Sequence, residues 1–215
     1  MAALFEAGGL LMWPLLLLSV LALATILERL WFWGTLLIGE KPAIARVLTA
    51  ARTDLVAART EAETLTHTPV GRFLLAPLAL PNPEPETFTL ALESVADEEL
   101  MAMLKGDKLL EGTIALAPLL GLLGTVTGLI AAFQATGWDP GATRSNALTS
   151  GLAEALITTA AGMGIAIVTL TFHRLFLALH AQQMRLFQRT GNELELIYRL
   201  TWQHGAPEPE PSRHD

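Results

Sequence analysis

The stretch that most limits what this chain can become is APLLGLLGTVTGLI, residues 117–130. It is apolar, carries Gly121, Gly124 and Gly128, and is interrupted by two hydroxyls, Thr125 and Thr127. Glycine costs about 1 kcal/mol in a helix interior, so in water this is a poor helix. In a bilayer the backbone has no water to bond and must satisfy itself, so it stays helical despite glycine. The three glycines then form a smooth ridge on which a second helix can close.

Composition agrees with a bilayer. The chain is 52% hydrophobic and 16% charged, where an ordinary soluble domain has about a quarter of its residues charged. A net charge of −7 with no basic patch excludes nucleic acid as a partner. The absence of cysteine removes disulfides, a thiolate nucleophile and any cysteine metal site. No His cluster, Ser/His pair or phosphate loop is visible, so no metal, cofactor or enzymatic chemistry is expected.

Taken in order, residues 10–33 form a run of one bilayer's length. Trp13 stands at one end and Trp31 and Trp33 at the other, as interfacial aromatics do. The only charge ahead of the run is Glu6, and the apolar core is too long for a cleaved signal, so a retained anchor is expected. Glu28 and Arg29 are adjacent and do not face each other on a helix; they read as groups reaching for the interface rather than as a salt bridge. The section 34–108 is polar and helical. Ile44, Val47, Leu48, Ala51 and Leu55 recur at helical spacing. The stretch HTPVGRFLLAPLALPNPEPE breaks that helix, and Pro81, Pro83 and Pro85 mark an exposed turn. A second amphipathic helix is expected from Thr87 to about Lys108, with Asp97, Glu98 and Glu99 on its wet side; His67 reads as a solvated loop residue. Residues 109–136 make a second span, 137–147 a short hairpin, and 148–179 a third span. The last continues as one helix into solvent over 180–204, and the Pro- and Glu-rich tail 205–215 is expected to be disordered.

Basic residues set the orientation. Lys41, Arg46, Arg52, Arg59, Arg72, Lys105 and Lys108 lie between the first two spans, and Arg174, Arg185, Arg189, Arg199 and Arg213 lie in the C-terminal section. Residues 1–9 have none and the hairpin has only Arg144. The expected fold is an all-α membrane protein of three transmembrane helices, N-terminus out and C-terminus in, with long helices extending into the cytoplasm.

An ionisable group within a membrane helix is a functional hypothesis by default. Glu154 is the case here, in GLAEALITTAAGMGIAI. Gly151, Glu154, Thr158 and Gly162 fall on one helical face, with Thr159 beside it. Two faces bearing small residues and hydroxyls either pack closely or surround a narrow polar path. The packing reading is strong for any single threonine, since Thr in a membrane helix commonly bonds its own backbone, and Glu154 could reach the outer interface.

APLLGLLGTVTGLIAAF followed by SGLAEALITTAAGMGIAI resembles the MotA/TolQ/ExbB proton-channel family, most closely its ExbB/TolQ branch; the flagellar-stator branch has four spans. The likeness covers the second and third spans closely, and the first span and the cytoplasmic insert in layout. It implies a homo-oligomeric ring, typically a pentamer, in the bacterial inner membrane, whose second and third helices line a pore. The pore holds the single helices of an ExbD/TolR-like partner bearing the proton-carrying Asp, and motion passes to a TonB/TolA-like transducer. Motif by motif, Thr125 and Thr159 are the pore-lining threonines and Glu154 the glutamate of the AEAL motif. One departure is Val168, where the family usually has Pro.

The residues and the resemblance meet in an absence. No Asp or Lys lies deep within a span, and a threonine hydroxyl cannot hold a charge. The carboxylate of a relay must come from a partner. The expected function is an ExbB-like subunit coupling the proton gradient to outer-membrane transport, with Thr125, Thr158, Thr159 and Glu154 on the path, Thr125 facing Thr159, and Gly121, Gly124, Gly128, Gly151 and Gly162 in helix packing. A TolQ-type envelope motor and a non-conducting membrane scaffold are the alternatives.

Overall fold

The structure, a computed structural model, describes residues 10–136 and 145–205. Residues 1–9, the hairpin up to 144 and the tail 206–215 lie outside the described residues. Those described form helices and no strand: α1 Met12–Ala51, α2 Leu55–Glu63, α3 Pro69–Leu78, α4 Pro85–Met103, α5 Asp107–Thr136 and α6 Ser145–Gly205. Helices α1, α5 and α6 contain stretches long and apolar enough to cross a membrane. The described residues are thus all-helical, with three helices able to span a membrane.

Local chemistry sets the breaks, and it differs from the sequence expectation in three places. Helix α1 runs on past Trp33 through Pro42 to Ala51; proline costs one backbone hydrogen bond, and this one lies on the exposed side. Leu55 belongs to the next helix, where Asp54 caps α2 by accepting from the Val56 N–H at 3.0 Å. The stretch expected only to break structure contains α3, started by Thr68, which accepts from the Gly71 N–H, with Pro69 in the first turn where its missing N–H is harmless. Helix α4 ends at Met103, before Lys108, because Gly106 takes φ +83. A side chain there would also strike Thr25. Helix α6 is continuous past the exposed Val168.

The chain divides into two compact units, residues 1–31 with 105–178 and residues 32–104 with 179–215. In the first, Leu15 of α1 packs with Ala117 of α5 and Ala166 of α6. Outward, Leu17, Leu23, Leu119, Ile130, Leu156 and Ile167 are exposed. An apolar surface of that extent needs lipid or partner helices to cover it. Glu28 and Arg29 do form an ion pair here, with Arg29 donating from Nη2 at 2.8 Å and Nε at 3.2 Å. Arg29 is buried, and the long guanidinium bends back to its neighbour, which the side-by-side helical argument did not allow for.

The second unit is built on aromatic contacts. Phe88 stacks on Tyr198 with centroids 4.0 Å apart, and Phe73 meets Phe187 at 4.6 Å. The Tyr198 hydroxyl donates to the Pro83 carbonyl. Asp97 and Glu98 are exposed as expected, but Glu99 is buried and receives both Nε and Nη2 of Arg72. The α3 helix, unseen in the sequence, brings that arginine. Arg72→Ala leaves the Glu99 carboxylate buried without its donor. A loss of about 2 kcal/mol in thermal unfolding of the purified protein is expected, with Arg72→Lys recovering only part because it cannot bond bidentately.

Candidate functional site

The site grows out of one seam in the first unit, where α5 and α6 lie antiparallel. On α5, Ala117, Gly121, Gly124, Gly128 and Ala132 recur every three to four residues and are all buried. On α6, Ala155, Thr158, Gly162 and Ala166 are buried at the same spacing, and Gly151 is partly buried. A Cβ on Gly121 would lie 3.0 Å from the Thr158 carbonyl oxygen and 3.0 Å from Thr159 Cα. One on Gly128 would lie 3.0 Å from the Gly151 carbonyl oxygen, and one on Gly151 2.7 Å from Ala132 Cβ. One on Gly162 would enter the Ala117 carbonyl, and one on Gly124 the Thr158 side chain. The helices therefore meet backbone to backbone, as small residues allow in lipid. Sequence reading found the glycines but not the alanines that complete both stripes. Their period was the available signal.

The hydroxyls divide by what they touch. Thr158 is 1% exposed and donates to the carbonyls of Glu154 and Ala155 in its own helix. The missing side chain at Gly124 admits it, so Thr158 is buried in the seam. Thr159 sits at the rim, half-buried, and its Oγ1 donates across to the Gly121 carbonyl at 2.8 Å. Thr125 stands one turn further along α5 than that carbonyl. It is half-buried and donates to its own Leu122 carbonyl at 2.7 Å. Thr125 and Thr159 thus do not donate to each other. Each hydroxyl oxygen keeps acceptor capacity after giving up its proton to a carbonyl. Thr127 is exposed and bonded back to Leu123.

Glu154 is half-buried, and its carboxylate makes no hydrogen bond or ion pair among the described residues. Thr159 lies five positions further on, about 140° around a helix of 3.6 residues per turn, so the two flank the buried stripe. The seam thus carries an unpaired carboxylate on one flank and an acceptor hydroxyl on the other.

At the opposite end of the seam the α6 stripe continues through Thr169 to His173, both buried. His173 Nε2 lies 2.7 Å from Asp107 Oδ1 in the first turn of α5. The approach is too oblique for a full hydrogen bond, and Nδ1 has no partner among the described residues. Sequence reading missed this pair, although a histidine on the period 162, 166, 169, 173 was the signal for it. No group of three or more metal-ligating side chains occurs among the described residues.

Against known proteins, residues 65–189 match the MotA/TolQ/ExbB proton channel family. The chain is 56% identical over 92% of its length to the biopolymer transport protein ExbB-like 1 of Synechocystis sp., covering 79% of that protein. It is 35% identical over 94% of its length to ExbB-like 3 of the same organism, covering 96% of it. With the biopolymer transport protein exbB1 of Vibrio cholerae it shares 34% identity over 74% of its length and 71% of the relative.

Proposed function

The chain belongs to the MotA/TolQ/ExbB proton channel family, and from that premise we propose that it is an ExbB-like subunit of a proton-driven motor. It assembles as a homopentamer in the bacterial inner membrane, N-terminus out and C-terminus in, around the helices of an ExbD/TolR-like partner. Proton entry drives motion that a TonB/TolA-like transducer carries to outer-membrane transport. A TolQ-type envelope role would use the same path and differ in its transducer.

The observation that carries this reading is the rim of the α5/α6 seam. Thr125 and Thr159 have spent their protons on backbone carbonyls and are left as acceptors. Acceptors in a low-dielectric place suit a group that arrives bearing a proton, such as a neutral carboxylic acid or a protonated water chain. Glu154, unpaired on the other flank, places a carboxyl group towards the outer side. Neither threonine can hold the charge itself, so the carrier is the partner's carboxylate. The driving force is about 2.3 kcal/mol per charge for each 100 mV of potential.

The test is co-expression with a single-helix partner carrying an Asp in its span, followed by reconstitution into vesicles. Proton uptake down an imposed gradient is expected with the intact partner and not with its Asp→Asn form. A stable complex that passes no protons in either form would instead make the chain a scaffold.

A further inference from the structure

A second proton-related feature lies in the other unit, outside the seam, and it stands whether or not the seam conducts. Glu40 on α1 is 4% exposed and Gln183 on α6 is 1% exposed. The Gln183 Nε2 donates to Glu40 Oε2 at 2.6 Å. The two remaining oxygens, Glu40 Oε1 and Gln183 Oε1, are both buried with no hydrogen-bond partner among the described residues. An ionised carboxylate taking one hydrogen bond in an apolar interior, beside an amide oxygen with no donor, is a poor arrangement twice over.

One added proton answers both defects. A carboxylic acid and a primary amide are complementary: the amide N–H bonds the acid carbonyl, and the acid O–H bonds the amide carbonyl. We propose that Glu40 is a proton-binding site, occupied at neutral pH, in which Oε1–H donates to Gln183 Oε1 and closes a two-bond pair between α1 and α6. No bond is made or broken other than to that proton, which exchanges with water.

The surroundings fit a neutral acid. Lys41, next on α1, is exposed. His180, one turn before Gln183 on α6, is turned to the Leu100 carbonyl of α4 at 3.1 Å. Glu99 of α4 is taken by Arg72. Burial pushes the Glu40 carboxyl above the usual carboxylate range, and the Gln183 hydrogen bond offsets this only in part. A raised folded-state value means that the stabilising contribution is full below the ordinary carboxylate range and is lost as pH rises through the raised one. Deprotonation would leave two buried oxygens without a donor and loosen the tie between the helices.

The experiment compares the full-length protein in detergent with Glu40→Gln, whose amide can donate as the acid does. At neutral pH the infrared difference spectrum is expected to show loss of one protonated-acid C=O band in the variant. The melting temperature of Glu40→Gln should match or exceed that of the native protein, with the gap widening from mildly acidic to mildly alkaline pH. Loss of ionised-carboxylate bands instead, a gap independent of pH, or failure of Glu40→Gln to fold would each overturn the proposal. None of these readouts involves proton transport, so they are independent of the function proposed for the seam.

Discussion

Replacing Thr159 by Ala leaves a folded, assembled protein whose partner-dependent proton-driven work falls at least about tenfold, the change given by about 1.4 kcal/mol in a barrier. The fold survives because what Gly121 packs against at this position is the Thr159 Cα and the Thr158 carbonyl, which Ala keeps. What goes is one interhelical hydrogen bond, from Thr159 Oγ1 to the Gly121 carbonyl, worth about 0.6 kcal/mol in membrane helices. A polar acceptor at the rim goes with it. Thr159→Ser should restore work and Thr159→Val, equal in shape, should not. Glu154→Ala should also abolish work with assembly intact. Thr158→Val is the contrast: its hydroxyl is sealed and spent within its own helix, so stability changes while work persists. Native mass of the complex checks assembly, and membrane energisation in vesicles or cells checks work. Full work in both Thr159→Ala and Glu154→Ala would remove the pathway from this rim.

These contrasts depend on distinctions that sequence could make only in part. The three apolar runs and the glycine ridge were legible because a bilayer demands length and a close helix contact demands small residues. Residue by residue, the division was not. Thr158 and Thr159 are neighbours of one type, and only the position of Gly124 and Gly121 opposite them decides which is sealed and which reaches across. The side-chain pairings between helices were hidden for another reason. Arg72 and Glu99 are 27 residues apart and Glu40 and Gln183 are 143 apart, and no periodicity within one helix reports a partner on another. Helix α3 escaped notice because its proline and short length look like punctuation, while its start rests on a single threonine cap. The pairing of Glu28 with Arg29 shows the converse error, a rule about helix faces applied to a side chain long enough to evade it.

The seam itself offers the sharpest structural test. Gly162→Val should abolish a stable fold of the membrane unit, at a cost on the order of 3 kcal/mol or more, whereas Gly164→Ala should be silent or slightly stabilising. Both glycines lie on the third apolar run, two residues apart, and a composition-based view treats them alike. They differ in what a Cβ would meet. At Gly162 it enters the Ala117 carbonyl and comes within 3.2 Å of Gly121 Cα; both are backbone atoms of α5, so no rotamer change relieves the clash and the helices must part. At Gly164 nothing lies within 4 Å and the position is exposed, so alanine gains about 1 kcal/mol of helix propensity against no steric cost within the chain. Parting the helices also breaks the Thr159 bond and moves the rim, so Gly162→Val should lose proton-driven work together with thermal stability. Thr159→Ala should lose work alone. Unfolding curves in detergent read beside vesicle proton uptake separate the two. If Gly162→Val melts like the native protein, α5 and α6 do not meet through this stripe, and the rim that positions Thr125, Thr159 and Glu154 loses its foundation.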